Sequence, residues 1–274
     1  TDQNLILVNG SPVFNSSHLF GFLSLINPDV VDNVRLFKGG IPVKFGERVA
    51  SVMEVDFKDG NEETIRFNGG LGIINSRLTI DGPVTENKKL TFIAGGRSSY
   101  TNWILQQIPE VELSQSVTHF YDLSGKITYK FDQHNRMSVM GYLSNDEFST
   151  SAQSVNKYGN ILGNLKASTR LGEELYGDLE ASYSKYDYRL TDYASGNPVE
   201  AYYLDNFLEY KSAGYHLRWH PHPQHSFTAG VKAVSHLISP GEIIPLEEIS
   251  VIEYQMLDEE NALEGAVYIG DEYE

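Results

Sequence analysis

The 274-residue sequence contains no cysteine and no run of 18 consecutive apolar residues. The first absence removes disulfides and thiolate ligands; the second leaves no candidate for a membrane-spanning helix. Basic residues are scarce as well, 21 Lys and Arg against 37 Asp and Glu, for a formal charge of −16. A phosphate-rich partner needs a basic surface, so nucleic acid is excluded. The glycines between Gly40 and Gly46 lack the Lys-Ser/Thr ending of a phosphate loop, and no Ser/His/Asp set is legible from spacing. The sequence therefore predicts no enzyme and no bound cofactor.

What the chain does have is period-two alternation. Tyr121, Leu123, Gly125, Ile127, Tyr129 and Phe131 fall on one side of an extended segment, and Asp122, Ser124, Lys126, Thr128 and Lys130 on the other, because strand side chains repeat every two residues. The same arrangement sets Ile161, Gly163, Leu165 and Ala167 against Asn164, Lys166, Ser168 and Arg170, then Leu175, Gly177, Leu179 and Ala181 against Asp178, Glu180 and Ser182. A third unit sets Ala213, Tyr215, Leu217 and Trp219 against Gly214, His216, Arg218 and His220. Short turns at 132–135, 172–174 and 221–225 alternate with long loops expected at 101–116, 144–157, 191–201 and 238–261. About ten strands result, near 62–70, 74–82, 89–98, 118–131, 136–144, 159–171, 175–190, 202–219, 226–237 and 262–272. This is how a transmembrane antiparallel β-barrel reads, and such a wall hides from a hydropathy scan, which explains a mean hydropathy of −0.31.

A soluble sandwich with one face in a core would alternate in the same way. Two details favour the membrane. The apolar rows use Gly and Ala freely, which fills a core poorly, and Tyr129, Phe131, Tyr186, Tyr188 and Trp219 collect near strand ends, as an interfacial girdle requires.

Residues 1–58 are a different kind of sequence, a small α+β piece, and residues 59–274 read as nearly all strand. Leu5 to Val8 is a short buried strand, Asn9-Gly10 a turn, Asn27-Pro28-Asp29 the start of a helical turn, Val34 to Lys38 a strand, and Val49 to Phe57 another. A piece this short without disulfides is marginal alone. The chain also opens without a signal peptide and its last strand runs to the end, so the reading expects a fragment of a longer protein.

The runs Leu7-Val8-Asn9-Gly10-Ser11-Pro12-Val13-Phe14 and Ile26-Asn27-Pro28-Asp29-Val30-Val31-Asp32-Asn33-Val34-Arg35-Leu36-Phe37-Lys38-Gly39-Gly40, followed by Phe45-Gly46, resemble the second half of the plug of TonB-dependent outer-membrane receptors. The segments Ser76-Arg77-Leu78-Thr79-Ile80-Asp81-Gly82-Pro83 and Ala94-Gly95-Gly96-Arg97-Ser98-Ser99-Tyr100 resemble the first barrel strands of the Bacteroidota type, which carries a carboxypeptidase-regulatory-like domain ahead of the plug. The resemblance implies a plug, residues 1–58, inside the first part of a barrel, residues 59–274. A lumen wide enough to be plugged belongs to about 22 strands, so ten strands form only part of it. The family's TonB box, first plug half and later barrel strands have no counterpart here. The implied activity is import of a scarce or large solute, such as a siderophore, glycan or peptide, energised by the TonB–ExbB–ExbD complex. The implied surroundings are outer-membrane lipid and, in some members, a surface lipoprotein. A receptor that mainly binds and signals is the alternative.

On that resemblance the apical plug loop, with Asn15, Ser16, Ser17, His18 and Phe20, falls where the family meets its solute, although Leu19, Phe20 and Phe22 also suit simple packing. Arg35, Lys38 and Arg48, with Lys44, form a basic set expected to seat the plug against acids such as Asp122, Asp178 and Glu180, solvated charge being the plainer reading. His216, His220, His222 and His225 read as a wet Pro-rich turn rather than a metal site. The acids between Glu242 and Glu260 and from Asp271 to Glu274 read as solvated, a calcium or cationic-ligand site being the less favoured reading. No loop carries a motif that identifies the solute.

Overall fold

In a computed structural model the chain is described over residues 4–46, 50–110, 114–150 and 153–273. The N-terminal piece holds β1 (Asn4–Val8), β2 (Ser11–Pro12), β3 (Ser17–His18), β4 (Leu23–Ser24), β5 (Val31–Phe37) and β6 (Ser51–Phe57). Four of these make a mixed sheet in the order β2-β1-β6-β5, with β1 parallel to β6, while β3 and β4 pair as a separate hairpin. Asn9 and Gly10 both have positive φ, 49° and 92°, the mirror-image turn that joins tight hairpins. The positive φ favours glycine at position 10, which packs closely against the Glu180 side chain of the wall. Asn27 accepts the Asp29 N–H at 3.1 Å and starts the helical turn Pro28–Val30.

The wall follows as β7 (Arg66–Leu71), β8 (Asn75–Pro83), β9 (Leu90–Ser99), β10 (Val117–Lys130), β11 (Arg136–Thr150), β12 (Ser154–Arg170), β13 (Leu175–Asp192), β14 (Tyr202–His222), β15 (His225–Pro245), the two-residue β16 (Gln255–Met256) and β17 (Glu260–Tyr273). Each long strand pairs antiparallel with its neighbour in sequence, β17 with β15, and the sheet is open, with β7 and β17 at its edges. The ten strands expected are present. Two expected loops are shorter than the sequence suggested. β11 and β12 continue their ladder to Thr150 opposite Ser154, and β15 runs on to Pro245 opposite Tyr202. The β11–β12 extension carries Ser, Asn and Asp on both faces, and the β15 extension is interrupted by Pro240 and Gly241, so alternation fades while the backbone pairing continues.

Burial along β10 is inverted relative to a water-soluble sheet. Leu123 and Ile127 are 56% and 53% exposed, whereas Asp122 and Thr128, their immediate neighbours in the chain, are 0% exposed. The polar row is covered by the N-terminal piece. Lys126 donates to Phe57 O at 2.8 Å, Ser11 Oγ to Gly163 O at 2.8 Å, and Arg77 pairs with Asp29 at 2.8 Å. Val43 lies against Gly270 of β17. Contacts from β8 to β17 require the sheet to bend around the plug. Apolar packing fills the middle of this interface, with Val8, Leu25, Ile26, Val30, Val55 and Phe57 meeting Ile93, Met140, Tyr142 and Leu162 of the wall.

The aromatics expected near strand ends divide between the two faces. Tyr129 and Phe131 stack edge to face at 4.8 Å, and Trp219 packs on Phe227 at 5.6 Å, both at the short-turn end. Tyr186 and Tyr188 instead continue the inward row of Asp178, Glu180, Ser182 and Ser184. Tyr188 donates to Asn156 at 2.7 Å and Tyr186 meets the Asn15 side chain.

Candidate functional site

The plug reaches furthest toward the long-loop end of the wall in the β3–β4 hairpin, residues 15–24. Asn15 is held there, its Oδ1 accepting the Ser17 N–H at 3.3 Å and its carbonyl accepting from Asn160 at 3.2 Å. Ser16 is exposed and Ser17 half-buried. His18 has no exposed surface at all. Of Phe20 only the backbone is described, within the helical turn Leu19–Gly21. The most exposed aromatic of the apex is Phe22, at 88%.

His18 sits in a buried ionic cluster drawn from the plug and three wall strands. Its Nδ1 donates to Asp146 Oδ2 at 2.7 Å, and its Nε2 faces Leu25 O at 3.2 Å and Asp122 Oδ2 at 3.4 Å. Both ring nitrogens therefore face acceptors, which only the doubly protonated ring satisfies. Arg97 donates to Asp122 at 2.7 Å and to the carbonyls of Ser24 and Leu25 at 2.9 and 2.6 Å, and Tyr142 adds a third donor to Leu25 O at 2.9 Å. Phe120 stacks on the imidazole at 4.1 Å. Two carboxylates face one guanidinium and one imidazole, so the cluster is neutral only with His18 charged. Burial alone pushes the imidazole pKa down, but the hydrogen bonds and charge of Asp122 and Asp146 outweigh it and hold it above 6.5.

Asp146 does a second thing. Its Oδ1 accepts the N–H of Leu19 at 3.0 Å, fixing a non-glycine residue at φ 50°. That left-handed backbone costs about 1–2 kcal/mol, and the carboxylate fork across two successive residues holds it. Sequence reading missed Asp146 because it lies in the part of β11 taken for loop; counting the inward row on from Tyr142 by twos would have reached it.

The basic set lies elsewhere. Arg35, 47% exposed on the edge strand β5, pairs within the plug, with Glu54 at 3.2 Å and Asp56 at 2.8 Å. Lys38 is exposed just beyond β5, and Arg48 lies outside the described residues. Lys44 pairs with Glu54 at 3.2 Å and lines a small cleft with Glu180, His216 and Lys232 of the wall. The acids expected to receive these cations have other partners: Arg97 and His18 for Asp122, Arg218 at 2.9 Å for Asp178, Asn164 at 3.2 Å for Glu180. Plug and wall are tied instead by Arg97, His18, Arg77 to Asp29, and Lys126, whose Nζ also lies 2.6 Å from Asp59 Oδ1 in the connector after β6. Of the four histidines near the Pro-rich turn, His216 bonds the Tyr268 hydroxyl and His225 pairs with Asp271 at 2.7 Å.

No protein-family model matches the chain, and no curated protein is similar to it in sequence. Solved structures match it in fold. The copper transporter OprC superposes with a TM-score of 0.69 at 11% identity, covering 98% of this chain and 45% of that one. The ferric citrate transporter FecA, unliganded, gives 0.68 at 12%, covering 98% and 45%. The ferripyoverdine receptor of the outer membrane of Pseudomonas aeruginosa gives 0.64 at 12%, covering 98% and 43%. The chain thus spans less than half the length of the structures it matches. The chain shares the fold of part of a TonB-dependent receptor barrel, a large open antiparallel sheet with a small N-terminal body against its inward face.

Proposed function

We propose that the chain is the second half of the plug, residues 1–58, and the first part of the barrel, residues 59–274, of a TonB-dependent importer in the bacterial outer membrane. The observation that carries this reading is the inverted wall: apolar residues such as Leu123, Ile127 and Val139 face outward and exposed, while the polar row beside them is sealed by the plug. An apolar outer surface of that extent suits hydrocarbon and not water. A filled lumen does not let solute diffuse, so passage needs work on the plug, which the TonB–ExbB–ExbD complex would supply. The solutes named for the similar structures, copper, ferric citrate and ferripyoverdine, support a scarce solute, within a class of siderophores, glycans, peptides or similar cargo. On this reading the long-loop end is extracellular.

The apical loop from Asn15 to Phe20 then meets the solute through Asn15, Ser16, Ser17 and Phe20, with His18 as its buried anchor. Arg35 and Lys38 on the exposed β5 edge, with Arg48, would meet the remaining barrel wall. The segments at 76–83 and 94–100 support the Bacteroidota type, with a regulatory-like domain upstream and a surface lipoprotein as partner. The test is uptake. Solute co-purifying with the protein from native outer membranes is identified by mass spectrometry, and its accumulation is compared in cells with and without a working TonB complex. Accumulation should fall to the porin background without the complex, and equal accumulation overturns the proposal.

A further inference from the structure

On β10 the inward row is polar from Thr128 and Lys126 through Ser124 to Asp122, and on β11 it is polar at Ser144 and Asp146 beyond the apolar Met140 and Tyr142. At the long-loop end its character changes. Thr118 and Phe148 continue those same two inward rows, and Ile74, Thr101, Ile104 and Leu105 close over them from the loops after β7 and β9. Leu19 and Phe22 of the plug apex form the remaining side. Together these residues enclose a concavity of about 520 Å³, within the range of small-molecule sites.

Among the described residues the only polar side chains on this lining are the two threonines, and both are occupied. Thr101 Oγ1 donates to Thr118 O at 2.6 Å and lies 2.5 Å from Thr118 Oγ1. Among the described residues no charged side chain lines the space; His18, Asp122 and Asp146, which the Leu19 N–H joins through Asp146, are buried and committed to one another. A glycan or a hydroxy-acid complex placed here would lose hydrogen bonds to water and gain none, at roughly 1–3 kcal/mol for each group left unpaired. An apolar group would lose nothing and cover Phe22, which stands 88% exposed on the hairpin.

Resting on the importer reading above, we infer that this concavity binds a neutral aromatic or alkyl portion of the cargo, gripped between the plug apex and the barrel rim by apolar contact alone. The site is shared between the two bodies, with Leu19 in its floor pinned through Asp146, so cargo bound there rests on the element that must move.

The probe is N-phenyl-1-naphthylamine, a neutral aromatic fluorophore, added to the whole protein in lipid nanodiscs, with empty nanodiscs as the background. Saturable fluorescence above that background is expected. Phe22→Ala, at a position too exposed to matter for folding, and Leu105→Asp should each weaken it at least tenfold, while neither maltose nor ferric citrate displaces the probe. Absence of a saturable signal, wild-type binding by Phe22→Ala, or displacement by maltose overturns the inference. The outcome is separable from the importer reading: TonB-independent uptake with intact probe binding sinks the function and spares the pocket, and TonB-dependent uptake without probe binding does the reverse.

Discussion

On β10 the outward row of Tyr121, Leu123 and Ile127 and the inward row of Asp122, Ser124, Lys126 and Thr128 are one residue apart in the chain and opposite in surroundings. In a water-soluble sheet the apolar row would be the buried one. Here the polar row is buried, and it is buried by a separate body whose polar groups match it and its neighbours on β9 and β11: His18 for Asp122 and Asp146, the Phe57 carbonyl for Lys126, and the Ser24 and Leu25 carbonyls for Arg97. The outward row has no protein against it. The contrast teaches that the outward face suits an apolar medium and the inward face a polar partner. On the proposed importer reading such a polar contact suits a plug that is pulled loose, because water can replace each hydrogen bond as it breaks and the net difference is about 1 kcal/mol per bond.

The comparison breaks most sharply at Asp146. Asp146→Ala removes the partner of a buried imidazolium and of the Leu19 N–H together; losing one side of a buried charged pair costs about 3–5 kcal/mol. Hydrogen exchange over residues 17–25 should accelerate strongly in the variant while exchange in β13 and β14 stays slow. Unchanged protection of the hairpin would show that the carboxylate does not hold the plug. On the other face, Leu123→Arg places a charge in the outward row, expected to cost about 2–4 kcal/mol near the membrane midplane. The same change on a wetted surface costs within about 0.5 kcal/mol. Denaturant unfolding of the protein in lipid vesicles measures it, and a value inside that smaller range would remove the hydrocarbon from the account.

His18 sharpens the inward side through pH. The groups facing it are Asp122 of β10, Asp146 of β11 and, through Asp122, Arg97 of β9. Its pKa is raised in the folded protein above the ordinary 6.5. The stabilisation is therefore complete below about 6.5 and is lost as pH rises through the higher folded-state value. Hairpin protection, measured with exchange rates corrected for intrinsic pH dependence, should decline on the alkaline side, and His18→Gln should flatten the profile. Protection that instead grew with pH would mean a neutral ring.

The strands were legible because an apolar row alternates with a polar one, and that signal survives wherever both rows keep their character, as from Tyr121 to Phe131. It failed where both rows turn polar: Asn145 to Thr150 and Ser154 to Lys157 remain paired, yet little in their side chains distinguishes them from a loop. The apical hairpin was found by resemblance, but the depth of its members was not. His18 in a polar run reads as exposed; only the inward carboxylates 104 and 128 residues later in the chain make its burial tolerable. The apolar rim pocket was illegible because Ile104 and Phe148, 44 residues apart in the chain, line one space only once β9, β10 and β11 have paired.

The smallest effect expected separates charges that seat the plug from charges that merely decorate it. Arg35 pairs with Glu54 and Asp56, but it is 47% exposed on an edge strand and makes both contacts within its own sheet. Exposed pairs are worth about 0–1 kcal/mol, so Arg35→Ala should shift unfolding of the plug by less than about 1 kcal/mol in the same vesicles and leave hairpin exchange at the wild-type rate. The buried pair at Asp146 and the exposed one at Arg35 have similar lengths, 2.7 and 2.8 Å. If both substitutions cost the same, burial would not be what distinguishes them, and the matched inward row would lose its place as the seat of the plug.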